Sequence, residues 1–415
     1  MSFERGAIPA VAERYAEEAA HQYFVRRALL TAPHVRLHRL RRLDDRISAY
    51  LDGWTTAVSQ GCEPPPAPDA DSPGEFFVAA FRAVEAGDAQ VFEQLLSVCE
   101  ANQDALPGLN AALAWMPAPA LRGVVKALLE TGSAFRKGVG LLACGAHGAD
   151  LGTALGDQLE GLPLELRCDV LVALGRWDLR ESCRVQPEHS ALSAARAQVL
   201  LGDRGAAQRA LLEMTQGRNG EDIAAARLAF KLVTAEQARP WLQPLSGAVE
   251  AERLLIESLG VLGDPQFVPW LIERMSSPRL SCLAGESFSF ITGADLALLD
   301  LERNPPDQVQ AGPDDDPADQ DVALDEDDGL PWPDPQKVRD WWSANAHRFA
   351  SGQRYFVGAP PTPVHCLHVL RHGCQRQRAA AAEWRCLLQP GTPLFNTSAP
   401  AWRQQRWLDA LGAPR

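Results

Sequence analysis

Hydrophobic positions recur at helical spacing along almost the whole chain. In residues 9–30, Val11, Tyr15, Ala19 and Tyr23 step by four and predict one apolar helical stripe. Thr31-Ala32-Pro33 interrupts it, because proline disfavours helix in the residue before it and supplies no N–H. A second pattern follows, with Leu40, Leu43, Ile47 and Leu51 on one face, Arg39, Arg41, Arg42 and Asp45 between them, and Gly53 as the expected stop. Together they predict an N-terminal helical hairpin over 1–60. Residues 61–74, "GCEPPPAPDADSPG", hold too much proline for either regular element and read as a linker.

From 75 to 302 the pattern becomes a soft repeat: an apolar helical end, a turn with Gly and often Asp, then a new helix. The expected turn glycines Gly145, Gly175, Gly202 and Gly260 lie about 29 residues, or twice that, apart. The same step backwards reaches Met116-Pro117 and Gly87-Asp88. In Gly263-Asp264-Pro265 the aspartate is placed to cap a helix whose first turn tolerates proline. Alternating strand patterns are missing. The expectation is an all-α fold: a HEAT-like α-solenoid of stacked helix pairs, since one pair cannot bury its apolar faces alone. A C-terminal helical region, 335–415, resumes at Asp334-Pro335, with Val338, Trp341 and Trp342 as anchors.

Charge changes this picture in one place. The chain has 415 residues and a net charge of −13, yet residues 304–334 alone hold eleven acids and no Lys or Arg. The segment 303–334 therefore reads as an acidic disordered loop. The remaining chain is nearly neutral, and 335–415 is basic, with eleven Lys or Arg against three acids. Arg371, Arg376, Arg378 and Arg385 are expected to face the acidic loop or solvent, with the loop screening them. Nucleic acid is not the expected partner, because the acids compete with phosphate and no aromatic residues alternate with the arginines. Nine cysteines without a CxxC pair read as reduced thiols of a cytoplasmic protein. Acids at Glu4, Glu13, Glu17 and Glu18 argue against a signal peptide. No apolar run is long enough for a membrane span.

Candidate chemistry is thin. His365, His368 and His372 share a helix face, with Cys366 and Cys374 beside them, and imidazole is a common zinc ligand. A closed site needs four ligands, so a polar face opposite Val364, Leu367 and Leu370 is the favoured reading, with no metal and no cofactor. Cys144 near His147 resembles a nucleophile–base pair but sits in an expected repeat turn. Glu286 and Asp295 flank Thr292-Gly293, where a capping role for Thr292 is preferred to paired acid–base work.

Several segments together resemble a known family. These are "AERYAEEAAHQYFVRRALLTAPHVRLHRLRRLDDRISAYLDGW", the glycine-turn repeats, "GESFSFITGADL", "PWPDPQKVRDWWSANAHRF", "LRHGCQRQRAAAAEWRCLL" and "LFNTSAPAWRQQRWL". The chain is similar over nearly its whole length to proteobacterial HEAT-repeat-like proteins often encoded near type VI secretion genes. The resemblance brings no catalytic motif to carry over. It implies a non-enzymatic scaffold that binds a protein partner, namely a secretion effector, an adaptor or a tip protein. The alternatives are an immunity protein neutralising a cognate toxin and, from another class, a metal-dependent enzyme using the His365/His368/His372 helix.

Overall fold

A computed structural model describes residues 8–63, 67–184, 191–216, 221–306 and 327–412. Among them every regular element is helical and no strand forms; extended pairing is confined to isolated bridges such as Arg36 with Cys374. The fold is all-α. No helix among the described residues is long and apolar enough to cross a membrane.

The chain divides into two compact units. The first comprises Met1–Ser182, Arg371–Ala382 and Gly391–Arg415; the second comprises Cys183–Leu370 and Glu383–Pro390. Residues 75–302 thus contribute to both.

The first unit opens with α1 (Pro9–Leu29) and α2 (Leu37–Ser59), which pack on each other. Their buried stripes are Ala12, Ala16, Ala19 and Tyr23 on α1, and Leu40, Leu43, Ile47 and Leu51 on α2. Val11 instead faces solvent. A strict step of four drifts by about 40° each time around a helix of 3.6 residues per turn, so the stripe rotates away from it. Gly53 does not end α2. It lies inside the helix, where an added Cβ would stand 2.9 Å from Tyr15 Cε2.

The unit continues with α3 (Pro73–Ala86), α4 (Ala89–Ala101), α5 (Leu106–Trp115), α6 (Arg122–Leu129), α7 (Ala134–His147), α8 (Leu155–Gln158) and α9 (Leu164–Leu174). Ser72, Asp88 and Ser133 cap α3, α4 and α7 by accepting from backbone N–H groups of the first turn. Alternate helices pack in order: α3 on α5, α5 on α7, α7 on α9. An aromatic chain runs through the core, from Tyr23 stacked on Phe77 at 4.5 Å, to Trp115, and on to Trp402.

The second unit holds α10 (Ala191–Leu200), α11 (Ala206–Met214), α12 (Asp222–Ala229), α13 (Ala235–Leu242), α14 (Glu252–Leu262), α15 (Val268–Arg274), α16 (Ser281–Thr292) and α17 (Pro335–Asn345). Here α10 packs on α12, α12 on α14, and α14 on α16. Asp264 and Asp334 accept first-turn N–H bonds, as their sequence context predicts. Val338 is fully buried, with Trp341 and Trp342 packed against the same core. Thr292 ends α16: its hydroxyl donates to Phe288 O and accepts from Ala294 N. α18 (Pro363–His372) and α19 (Gln375–Leu388) are each divided between the units, and α20 (Ala401–Gly412) belongs to the first.

Two of the four expected turn glycines lie elsewhere. Gly145 and Gly260 are inside α7 and α14, and the chain turns three residues later, at Gly148 and Gly263. Gly260 is small for a packing reason, since a Cβ there would come within 2.8 Å of Ser287. Gly175 and Gly263 are true turns with positive φ, and both admit another backbone. In the second unit, Tyr355 N–H donates to Gly263 O at 2.8 Å, and a Cβ on Gly263 would meet Tyr355 O at 2.2 Å. In the first unit, a Cβ on Gly175 would stand 2.6 Å from Gly391 O, and Leu394 N–H donates to Val172 O.

Candidate interaction surface

The stacked helices of the second unit carry charge at the same place in succession. Arg196 on α10, Arg227 on α12, Glu257 on α14 and Glu286 on α16 are separated by about the same step as the turns. Arg227 Nε donates to Glu257 Oε2 at 2.9 Å, with more than half of the arginine side chain in solvent. Glu383 of α19 adds a carboxylate that accepts from Lys231 at 2.5 Å and from Arg196 at 3.4 Å. Burial pushes the Glu383 carboxyl up, but the two cations outweigh it and hold it below the ordinary range. The row is a polar strip on stacked helices, partly open to solvent. Sequence reading missed it, although the 29-residue step applied to charges rather than glycines would have found it.

A cavity of about 390 Å³ opens at the ends of α12 and α14, lined by Val233, Thr234, Asp264, Gln353 and Arg354 among others. Its polar groups already serve the fold. The Arg354 guanidinium donates to the carbonyl of Leu262 at the end of α14 and to those of Phe230, Lys231 and Val233 in the connection after α12, where no helical N–H bonds them. The Asp264 carboxylate accepts from Gln266 N, Gln266 Nε2 and Gly352 N. Burial pushes the arginine down to about 10, which leaves it protonated at neutral pH.

The sequence candidates for chemistry land in structural roles. His365 is half-buried, its Nε2 2.7 Å from Phe356 O, and its ring lies 6.1 Å from that of His368. Burial lowers its proton affinity, and so favours the neutral ring. Among the described residues no three His, Cys, Asp or Glu side chains are grouped to hold a metal ion. The apolar face of α18 differs from the expected one: Cys366, Val369 and Leu370 are buried, whereas Val364 is 80% exposed. Val369 and Leu370 follow Cys366 at i+3 and i+4, which defines the inward face.

Cys144 is buried, which raises its thiol, and His147 Nε2 lies 2.9 Å from Leu113 O, with burial lowering the imidazole. Both shifts oppose a thiolate–imidazolium pair. The nine cysteines are thiols, eight of them buried. Glu286 lies within α16 and Asp295 beyond its end, where Asp295 accepts from Leu298 N–H.

The C-terminal arginines are not spread on solvent. Arg378 is fully buried and donates to the Gln375 and Gln404 side-chain carbonyls. Arg371 donates to Leu408 O and Arg376 to Thr31 O. Apart from Gln375, three residues before Arg378 on the same helix, the carbonyls they reach belong to other helices and loops, where local patterning gives no signal. Most of the acidic segment, 307–326, lies outside the described residues, and so does its expected screening of these arginines. Asp327, at its far side, pairs with Arg253 at 2.8 Å. The base is fastened by Arg303 N–H to Trp332 O and Asp334 N–H to Leu301 O.

Comparisons with protein-family models, with curated proteins and with solved structures find no match to this chain.

Proposed function

We propose that the chain is a non-enzymatic protein-binding scaffold, built as a HEAT-like α-solenoid and serving type VI secretion by loading an effector or a spike-tip component. The observation that carries the binding role is the ordered packing of alternate helices in each unit, with charged side chains at successive equivalent places in the second. Such stacking builds an extended surface whose side chains can change without changing the fold, because each helix pair depends only on its neighbours. The tethering of His147 and His365 to backbone carbonyls, and the raised Cys144 thiol, favour binding over catalysis. The secretion role rests on the family resemblance alone.

The test is affinity capture of the tagged chain from its native host at low and high salt, with mass spectrometry of what is recovered. The proposal expects a secretion effector, adaptor or tip protein, released in part by salt if the charged strip carries the contact. Recovery of only nucleic acid, only metal or nothing would overturn it.

A further inference from the structure

The outer face of α2 is rich in arginine. Residues 26–46 contain seven arginines against two aspartates, Asp44 and Asp45. The structure assigns both acids. Asp44 is buried and accepts from Arg26 Nε at 2.6 Å, and Asp45 pairs with Arg41 at 2.8 Å. Arg39, Arg42 and Arg46 remain exposed, and among the described residues no acid lies within ion-pair distance of them.

These three stand at i, i+3 and i+7 and therefore on one face, spaced over about 10 Å of helix. Arg36, just before α2, pairs through its backbone with Cys374, and Arg376 donates to Thr31 O in the connection from α1. The stretch that follows α2 is acidic instead. Residues 67–104 hold Asp69, Asp71, Glu75, Glu85, Asp88, Glu93, Glu100 and Asp104 against Arg82 alone. The arginine face of α2 thus contrasts with the acidic α3–α4 stretch that follows it in the chain.

We infer that the α2 face formed by Arg39, Arg42 and Arg46 is a docking site for a short acidic segment of a protein partner. This deepens the scaffold reading and rests on it. Guanidinium forks match carboxylates in bidentate geometry. The short span suits one or two turns of a peptide, whereas a nucleic acid gains affinity from many phosphates. No exposed Phe, Tyr or Trp on α2 accompanies the arginines to stack a base. The net charge of −13 also repels a polyanion at long range, while a short segment meets only the local field.

The test uses the full chain and a fluorescently labelled oligoglutamate peptide, read by anisotropy in low salt. Single-stranded DNA of equal charge and phosphatidylglycerol vesicles serve as the other probes. The Arg39→Gln/Arg42→Gln/Arg46→Gln variant should bind the peptide at least about ten-fold more weakly than wild type. A control, Arg14→Gln/Arg122→Gln/Arg209→Gln, removes the same charge from other exposed positions and should bind as wild type does. Melting curves of both variants should match wild type, since every altered side chain is exposed.

Equal binding by both variants would overturn the inference, as would tighter binding of DNA or vesicles than of peptide. Host capture separates it from the scaffold reading. A secretion partner recovered equally by wild type and by the α2 variant sinks the inference and leaves the scaffold standing. Capture of nothing by wild type sinks the scaffold, while the peptide measurement still decides the arginine face.

Discussion

In the first unit a buried arginine, Arg26, meets one carboxylate, Asp44, which also accepts from Ala401 N–H; the Arg26 guanidinium donates further to Ser398 O and Ala399 O. In the second, one carboxylate, Glu383, is shared by two cations, Lys231 and Arg196. The first arrangement is a closed pair, saturated by backbone and fully removed from water. The second is a three-membered cluster with a net positive charge and an edge in solvent. The difference shows what each is suited to. A closed pair fastens α1 and α2 to the start of α20, because opening it strands a charge in the core. In the cluster only the Arg196 side is open, at 35% exposure, so Arg196 can be released to water at low cost while the buried Lys231 keeps its hold on Glu383.

The largest effect is expected from breaking the closed pair. Asp44→Ala leaves Arg26 buried without its carboxylate and should destabilise the first unit by about 3–5 kcal/mol. Urea unfolding checks it; a loss below about 1 kcal/mol would mean that the backbone carbonyls alone suffice. In the second unit, Glu383→Gln should cost less, about 2 kcal/mol, because amide replaces charge-assisted bonds at a partly solvated site. That cost depends on pH. The folded carboxyl titrates below its ordinary value, so its contribution is complete above the unfolded value and fades as pH falls through the folded one. The gap between wild type and Glu383→Gln should therefore shrink as the medium is acidified below about pH 4. A gap that widened on acidification would reverse the assigned shift.

Gly263→Ala probes a turn rather than a charge. Its φ of +76° and the Tyr355 carbonyl overhead predict a loss of about 1–3 kcal/mol. By contrast Gly87, also at positive φ, has open space around its would-be Cβ and should lose only the conformational part, about 1 kcal/mol. Equal losses at the two positions would show that the overhead Tyr355 backbone adds nothing. The smallest change is Thr234→Ala, which removes a capping box on α13 and should cost about 1 kcal/mol in thermal melts.

Local chemistry was legible in the sequence. Asp264-Pro265 and Asp334-Pro335 begin helices because cap and proline act on their own first turn. The all-α class followed from periodicity for the same reason. Gly145 and Gly260 were misplaced because a glycine needed for close helix packing and one needed for positive φ are the same letter, three residues apart. Arg378 and Arg371 read as surface residues because their acceptors, Gln404 and Leu408, come from a helix that only folding brings near. The charged strip on α10, α12, α14 and α16 carried a periodic signal, but one hidden by change of sign between Arg227 and Glu257. The partner proposed above would leave no local signature, since complementarity resides in two molecules and the sequence records one.

The central claim is that this chain works by holding another protein. Its most direct test is reconstitution of the purified chain with the protein recovered by host capture, followed by size-exclusion chromatography with light scattering. The account predicts a stoichiometric complex that forms without added metal or nucleotide and weakens as salt rises. Two separate peaks at micromolar concentrations, or a co-eluting species that proves to be nucleic acid, would contradict it.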